Sequence, residues 1–96
     1  MPMNTKNELI AEVIKKHLTD KYTDIHVEVY SWTDKMYDID IVSDAFIQLK
    51  YEDMLTKQEE LFDLLKEDLP RIKDMNGTIL FLSHDIFEEL MLNRQG

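Results

Sequence analysis

Three carboxylates, Glu28, Asp38 and Asp40, fall in one stretch with Tyr30 and Trp32. The stretch, DIHVEVYSWTDKMYDIDIVS at residues 24–43, alternates apolar and polar residues almost without a break. That is the pattern of strands with one buried face. Acids gathered on the other face could do one of three things. They could hold a divalent cation through oxygen ligands. They could receive Lys or Arg from a basic partner, or Lys35 from the same chain. They could also simply face water, where exposed charges repel one another weakly. The aromatics point to the second role. Tyr and Trp inside a charged rim are what protein interfaces use as anchors, and they hold Arg by cation–π contact. Tyr22 belongs near the same surface. The competing role for Trp32 is to cover the hairpin end against Met36.

The remaining chemistry-bearing residues form no constellation. The three histidines, His17, His26 and His84, lack paired metal spacing. Ser83-His84-Asp85 contains the residue types of a triad, but triad members converge from separate elements and these are adjacent. The run reads better as the start of a helix. The only glycines are Gly77 and Gly96, so no Gly-rich phosphate loop exists, and there is no EF-hand loop. The expectation is a protein with no catalytic residues, no metal and no cofactor.

The acids have to be positioned by a hairpin. Ile25, Val27 and Val29 share one face of its first strand, and Ile39 and Ile41, with Tyr37 in line, share one face of its second. Requiring the buried faces to coincide sets the register. A three-residue loop, Thr33-Asp34-Lys35, places Val29 opposite Ile39 and Val27 opposite Ile41. A loop of even length would set Val29 against Asp40 and bury an acid. The odd loop is therefore preferred, although it lacks the Gly or Asn such loops favour. Glu28 then faces Asp40, Tyr30 faces Asp38, and Trp32 faces Met36. Like charges set opposite each other cost stability unless something cationic compensates.

Around the hairpin, Thr5-x-x-Glu8 reads as a capping box ahead of Leu9, Ile10, Val13, Ile14 and Leu18. This predicts a helix over residues 6–19, with His17 at the boundary of its apolar stripe. Residues 44–53 read as either a helical turn or a loop that tucks Phe46, Ile47 and Leu49 into the core. Thr56-x-x-Glu59 reads as a second capping box before Leu61, Phe62, Leu65 and Leu69, and Pro70 stops that helix. Asn76-Gly77 marks a turn. Thr78 to Ser83 is apolar on both faces, which points to a central position or to parallel pairing under a helix. Asp85-x-x-Glu88 reads as the cap of a last helix carrying Ile86, Phe87, Leu90 and Met91. The expected fold is a single α+β domain over residues 1–96, ordered helix, strand, strand, helix, strand, helix. A right-handed crossover would give a three-stranded mixed sheet with helices packed on one face and the other face partly open.

Composition narrows the partners. Twenty acids against 11 bases give a net charge of −9, which opposes binding to nucleic acids and to anionic membranes. The same charge is also common for solubility alone. The 44% apolar fraction and the two Gly and two Pro fit an ordered globular chain. Cysteine is absent, which removes disulfides and thiol chemistry and fits a reducing compartment. Neither an apolar signal core nor a run of ~20 apolar residues is seen, so the expected location is the cytoplasm.

The element order and IDIVSDAF at residues 39–46 resemble the BolA family and, more loosely, type II KH-like folds. Val42, Ser43 and Phe46 match a Val-Ser-x-x-Phe pattern, and Asp44 and Ala45 are common there too. The run from Thr56 through Leu69 and the FEEL of residues 87–90 look like later parts of the same fold. That resemblance implies iron–sulfur cluster binding with a glutaredoxin partner through histidines. Here Lys57-Gln58 stands where the family has Arg-His, and Asn76, Gly77 and Thr78 stand where it has a His before the last strand. The KH-like glycine loop is missing as well. The resemblance therefore implies a fold and leaves cluster binding without ligands.

Taken together, the residues predict a small acidic cytosolic protein-binding module. An inhibitor, an immunity-type protein or a regulatory protein fits. It would dock a basic protein partner through the open sheet face, using Glu28, Tyr30, Trp32, Asp38 and Asp40. The alternatives are a BolA-like redox or iron-trafficking accessory and a homodimeric protein without catalytic activity.

Overall fold

The computed structural model describes residues 5–33, 35–70 and 75–95. Its elements are α1 (Thr5–Leu18), β1 (His26–Ser31), β2 (Met36–Val42), a 3-10 turn (Asp44–Gln48), α2 (Tyr51–Asp68), β3 (Asn76–Leu82) and α3 (His84–Gln95). The strands form one mixed sheet in the order β1-β2-β3. β1 and β2 pair antiparallel, with Val29 opposite Ile39, Val27 opposite Ile41, Glu28 opposite Asp40 and Tyr30 opposite Asp38. This is the register that buried-face matching demands. β3 pairs parallel to β2 after the α2 crossover, with Ile39 beside Ile79 and Ile41 beside Phe81. Of the two readings of its two-sided apolar run, parallel pairing is the one observed. The central place belongs to β2.

α1 and α2 pack against the face expected to be buried. Ile10, Ile14 and Leu18 of α1 meet Val27, Ile39 and Ile41, while Leu61 and Leu65 of α2 join Ile79, Phe81 and Tyr37 in the same cluster. Phe46 joins it from the 3-10 turn, its ring 5.2 Å from both Tyr22 and Phe81. Aromatic pairs at such angles and distances add roughly 0.5–1.5 kcal/mol each beyond area burial. Residues 44–53 thus resolve into a turn followed by the start of α2. Phe46 is buried as expected, but Ile47 is exposed, because a tight turn can direct only one of two neighbouring side chains inward.

Two of the three expected caps fall differently. α2 begins at Tyr51, so Thr56 lies inside it and its hydroxyl donates back to the Glu52 carbonyl at 3.2 Å. α3 is capped by Ser83 rather than Asp85: Ser83 Oγ accepts from Ile86 N–H at 3.4 Å, and its carbonyl accepts from Phe87 N–H at 3.0 Å. The Thr5 hydroxyl lies outside the described residues, as does Asp34 in the hairpin loop. Thr33 explains why that loop manages without Gly or Asn. Its Oγ1 accepts from the N–H groups of Lys35 and Met36 at 3.2 and 3.1 Å, closing the turn with a side chain.

The second sheet face departs from the expected open surface. α3 returns over it from the end of β3. The Phe87 ring lies 5.3 Å from His26, and the Tyr30 hydroxyl donates to Met91 Sδ at 3.4 Å. His26 and Tyr30 alternate with the core residues Val27 and Val29, so these contacts are on the side away from α1 and α2. The helices on one face are α1 and α2. α3 adds cover on the other, and Asp40 is 1% exposed.

Candidate functional site

The five residues expected to form one open surface divide into two groups. At the hairpin end, Trp32 is 71% exposed and its Nε1–H donates to Asp38 Oδ2 at 2.6 Å. Met36 beside it is also exposed. Trp32 pairs with Met36 through a 2.9 Å backbone bond, and Tyr30 pairs with Asp38. The indole therefore reaches one diagonal step across the strands, a distance long aromatic side chains span. The ring is tied to a carboxylate through its N–H.

Further along, the surface closes. Tyr30 is half-buried against Met91, and Asp40 is buried. Asp40 offers no surface to a partner, and Tyr30 offers only part of its ring. The expectation that both belong to an open face is corrected here. The cause is the short α3, whose Phe87 and Met91 turn toward the sheet. Glu28, opposite Asp40 and farther from the hairpin end than Tyr30, is half-buried and accepts from His26 Nε2–H at 2.9 Å. His26 is the neighbour hydrogen-bonded to the Glu28 carboxylate. It sits two residues from Glu28 on the same face, a position the sequence shows as clearly as it shows Lys35.

A second group was not anticipated as a unit. Asp24, just before β1, accepts from Ser43 Oγ at 2.6 Å and from Asp44 N–H at 2.9 Å. Asp44 in turn accepts from His84 N–H at 3.1 Å, and His84 Nε2–H donates to the Asp24 carbonyl at 3.1 Å. Three chain segments, leading into β1, the 3-10 turn and α3, are tied at one corner. The Ser43 hydroxyl bond, then the Asp44 N–H and, least, the His84 charge hold the Asp24 carboxyl below the usual carboxylate range. Asp24, Asp44 and His84 each bring a potential ligand atom within 4.8 Å of the others. Their carboxylates are already engaged by backbone N–H groups that start helical turns, so capping accounts for the arrangement. Part of the signal lies in the register: two residues beyond the His26–Val42 pair, Asp24 falls opposite Asp44, while nothing local points to His84.

No family model matches the chain, and no curated protein or solved structure matches it either. The BolA-like likeness therefore rests on its own residues. Those residues have local duties here. Val42 and Phe46 are core, and Ser43 both caps the 3-10 turn and holds Asp24. No helix among the described residues is long and apolar enough to cross a membrane.

Proposed function

We propose that this chain is a protein-binding module that docks a basic partner through its hairpin end. An inhibitor, immunity-type or regulatory protein would act in this way. The observation that carries the reading is the exposed Trp32, fixed by the 2.6 Å bond to Asp38. A free indole on a hairpin end samples several rotamers, and binding must then order it. Immobilising a side chain costs about 0.5–1.5 kcal/mol, so a ring held in advance binds more tightly for the same contacts. The net charge of −9 supplies the steering toward a basic surface. An Arg stacked on the indole would also meet the Asp38 carboxylate beneath its rim.

The test is affinity capture with the native chain and with Trp32→Ala as paired baits, at low and moderate salt. A protein with a basic surface should be retained by the native bait, released as salt rises, and lost by the variant. Equal capture by both baits would reject the hairpin end as the contact. Trp32 is the only tryptophan, so the purified partner can then be titrated against its fluorescence directly.

A further inference from the structure

β3 opens on Asn76-Gly77, which sets a side-chain amide beside a backbone nitrogen with nothing to shield it. The chain has four asparagines, Asn4, Asn7, Asn76 and Asn93, followed by Thr5, Glu8, Gly77 and Arg94. Of these followers only Gly77 lacks a side chain. Asn7 and Asn93 lie within α1 and α3, where the helix fixes the backbone on either side. Asn7 is also engaged, its side chain donating to the Val29 carbonyl at 3.3 Å.

The fold leaves the Asn76-Gly77 pair open. Both residues are exposed, and among the described residues no strand lies beyond β3. Asn76 N–H donates to the Lys35 carbonyl at 2.6 Å, and the Leu82 carbonyl accepts from Ser43 N–H at 2.9 Å. Both are even-numbered residues, and a strand turns successive peptide groups to opposite sides. The Gly77 N–H therefore lies on the side away from β2, outside the ladder. An extended backbone holds the Asn76 side chain away from that nitrogen. The two meet when the strand rotates out of the sheet, and they stand at its end, where opening costs least.

We propose that Asn76 is a site of spontaneous deamidation, through a cyclic imide formed with Gly77. The Gly77 nitrogen bonds to Asn76 Cγ and gives up its proton to water or hydroxide, and the side-chain nitrogen leaves as ammonia. Water then opens the imide at either carbonyl. One opening gives aspartate, and the other gives isoaspartate, whose main chain runs through the former side chain and is longer by one carbon. Either product adds a negative charge to a chain already at −9. The longer product cannot keep both anchors of this strand end. The Asn76 N–H is bonded to Lys35, and Gly77 lies so close to the Tyr37 carbonyl that a Cβ there would come within 1.6 Å of its oxygen. An extra carbon between the two displaces one of them, and β3 loosens from β2 beside the hairpin loop.

Ageing the full chain at neutral and at mildly alkaline pH tests this, with peptide mapping by mass spectrometry and a synthetic MNGTIL peptide aged alongside. The folded chain should convert at Asn76 within about tenfold of the peptide's rate, since a strand end opens at little cost. Conversion should quicken as pH rises, and Asn7 and Asn93 should stay intact. The isoaspartate form, purified from the aged sample, should melt below Asn76→Asp, which carries the same added charge on a backbone of native length. Slower conversion than this, or an intact Asn76 beside a converted peptide, would show that the strand keeps the two groups apart and would overturn the site. Equal conversion of Asn7 or Asn93 would overturn its selection by Gly77. Equal melting of the isoaspartate form and Asn76→Asp would overturn the loosening of β3.

Discussion

Trp32 donates its indole N–H to Asp38 across the hairpin, at 2.6 Å and one diagonal step from the direct pair. The bond joins an exposed ring to a half-buried acid. It therefore adds little to folding, and its consequence is the orientation of the ring.

Asp38→Ala should release that ring. Surface changes of this kind alter stability by no more than about 0.5 kcal/mol. Acrylamide quenching of the single Trp should rise, and affinity for the captured partner should fall by roughly two- to tenfold as the ordering cost returns. Trp32→Ala should cost more than Asp38→Ala. Unchanged quenching in a folded Asp38→Ala protein would show that the bond does not hold the ring.

The hairpin was readable because its constraint is local and binary. Shifting the register by one residue would bury Asp40 beside Val29 on the core face, and only one loop parity avoids that. Yet Asp40 is buried all the same, on the opposite face. Periodicity identifies which side of a strand is polar. It does not say whether a short helix such as α3 will later lie across that side. Phe87 and Met91 were recognised as an apolar stripe, but a stripe does not name its partner. The Asp24 corner escaped for a different reason. Its members lie 19 to 60 residues apart in sequence, and each looks like an ordinary cap when read alone.

Ser43 is the residue on which that corner turns. It is buried, donates to Asp24, and accepts from Ala45 N–H at 3.2 Å. Ser43→Ala removes a cap and a buried hydrogen bond together, an expected loss of about 1–2 kcal/mol in urea denaturation. Wild-type stability in that variant would mean that the corner is not a structural lock.

The same corner sets an acid limit. The Asp24 carboxyl is held below its ordinary range, chiefly by the Ser43 hydroxyl. In the unfolded chain an Asp titrates near ~3.9. The unfolded state thus takes up the proton first. The stability Asp24 contributes is complete above that value and is lost as pH falls through the lower folded one. Denaturation midpoints should drop below about pH 4, and Asp24→Asn should flatten part of that slope. A slope identical in the variant would remove Asp24 from the account.

Gly77 is expected to be irreplaceable. Its φ is +153°, and a Cβ there would lie 1.6 Å from the Tyr37 carbonyl oxygen. That oxygen belongs to the backbone of the central strand, so it cannot swing aside as a side chain could. Gly77→Ala should cost more than about 2 kcal/mol, through strain at a conformation that L residues avoid. Thermal denaturation would show it, and a midpoint near the native one would mean that β3 re-registers cheaply.

Asp40 distinguishes a structural acid from a binding one. It faces Glu28 across the strands but is 1% exposed, on the face where α3 meets His26 and Tyr30. Asp40→Lys puts a longer, oppositely charged chain into a filled site, where overpacking alone costs roughly 1–3 kcal/mol and burying a displaced charge adds to it. The variant should lose α3 docking, seen as faster amide exchange in residues 84–92 and a lower melting temperature. Glu28→Lys, half-exposed, should stay folded and change only partner affinity and its salt dependence. If Asp40→Lys instead folds like the native chain and loses partner binding, the acid acts at a surface, and α3 must lift to let a partner in.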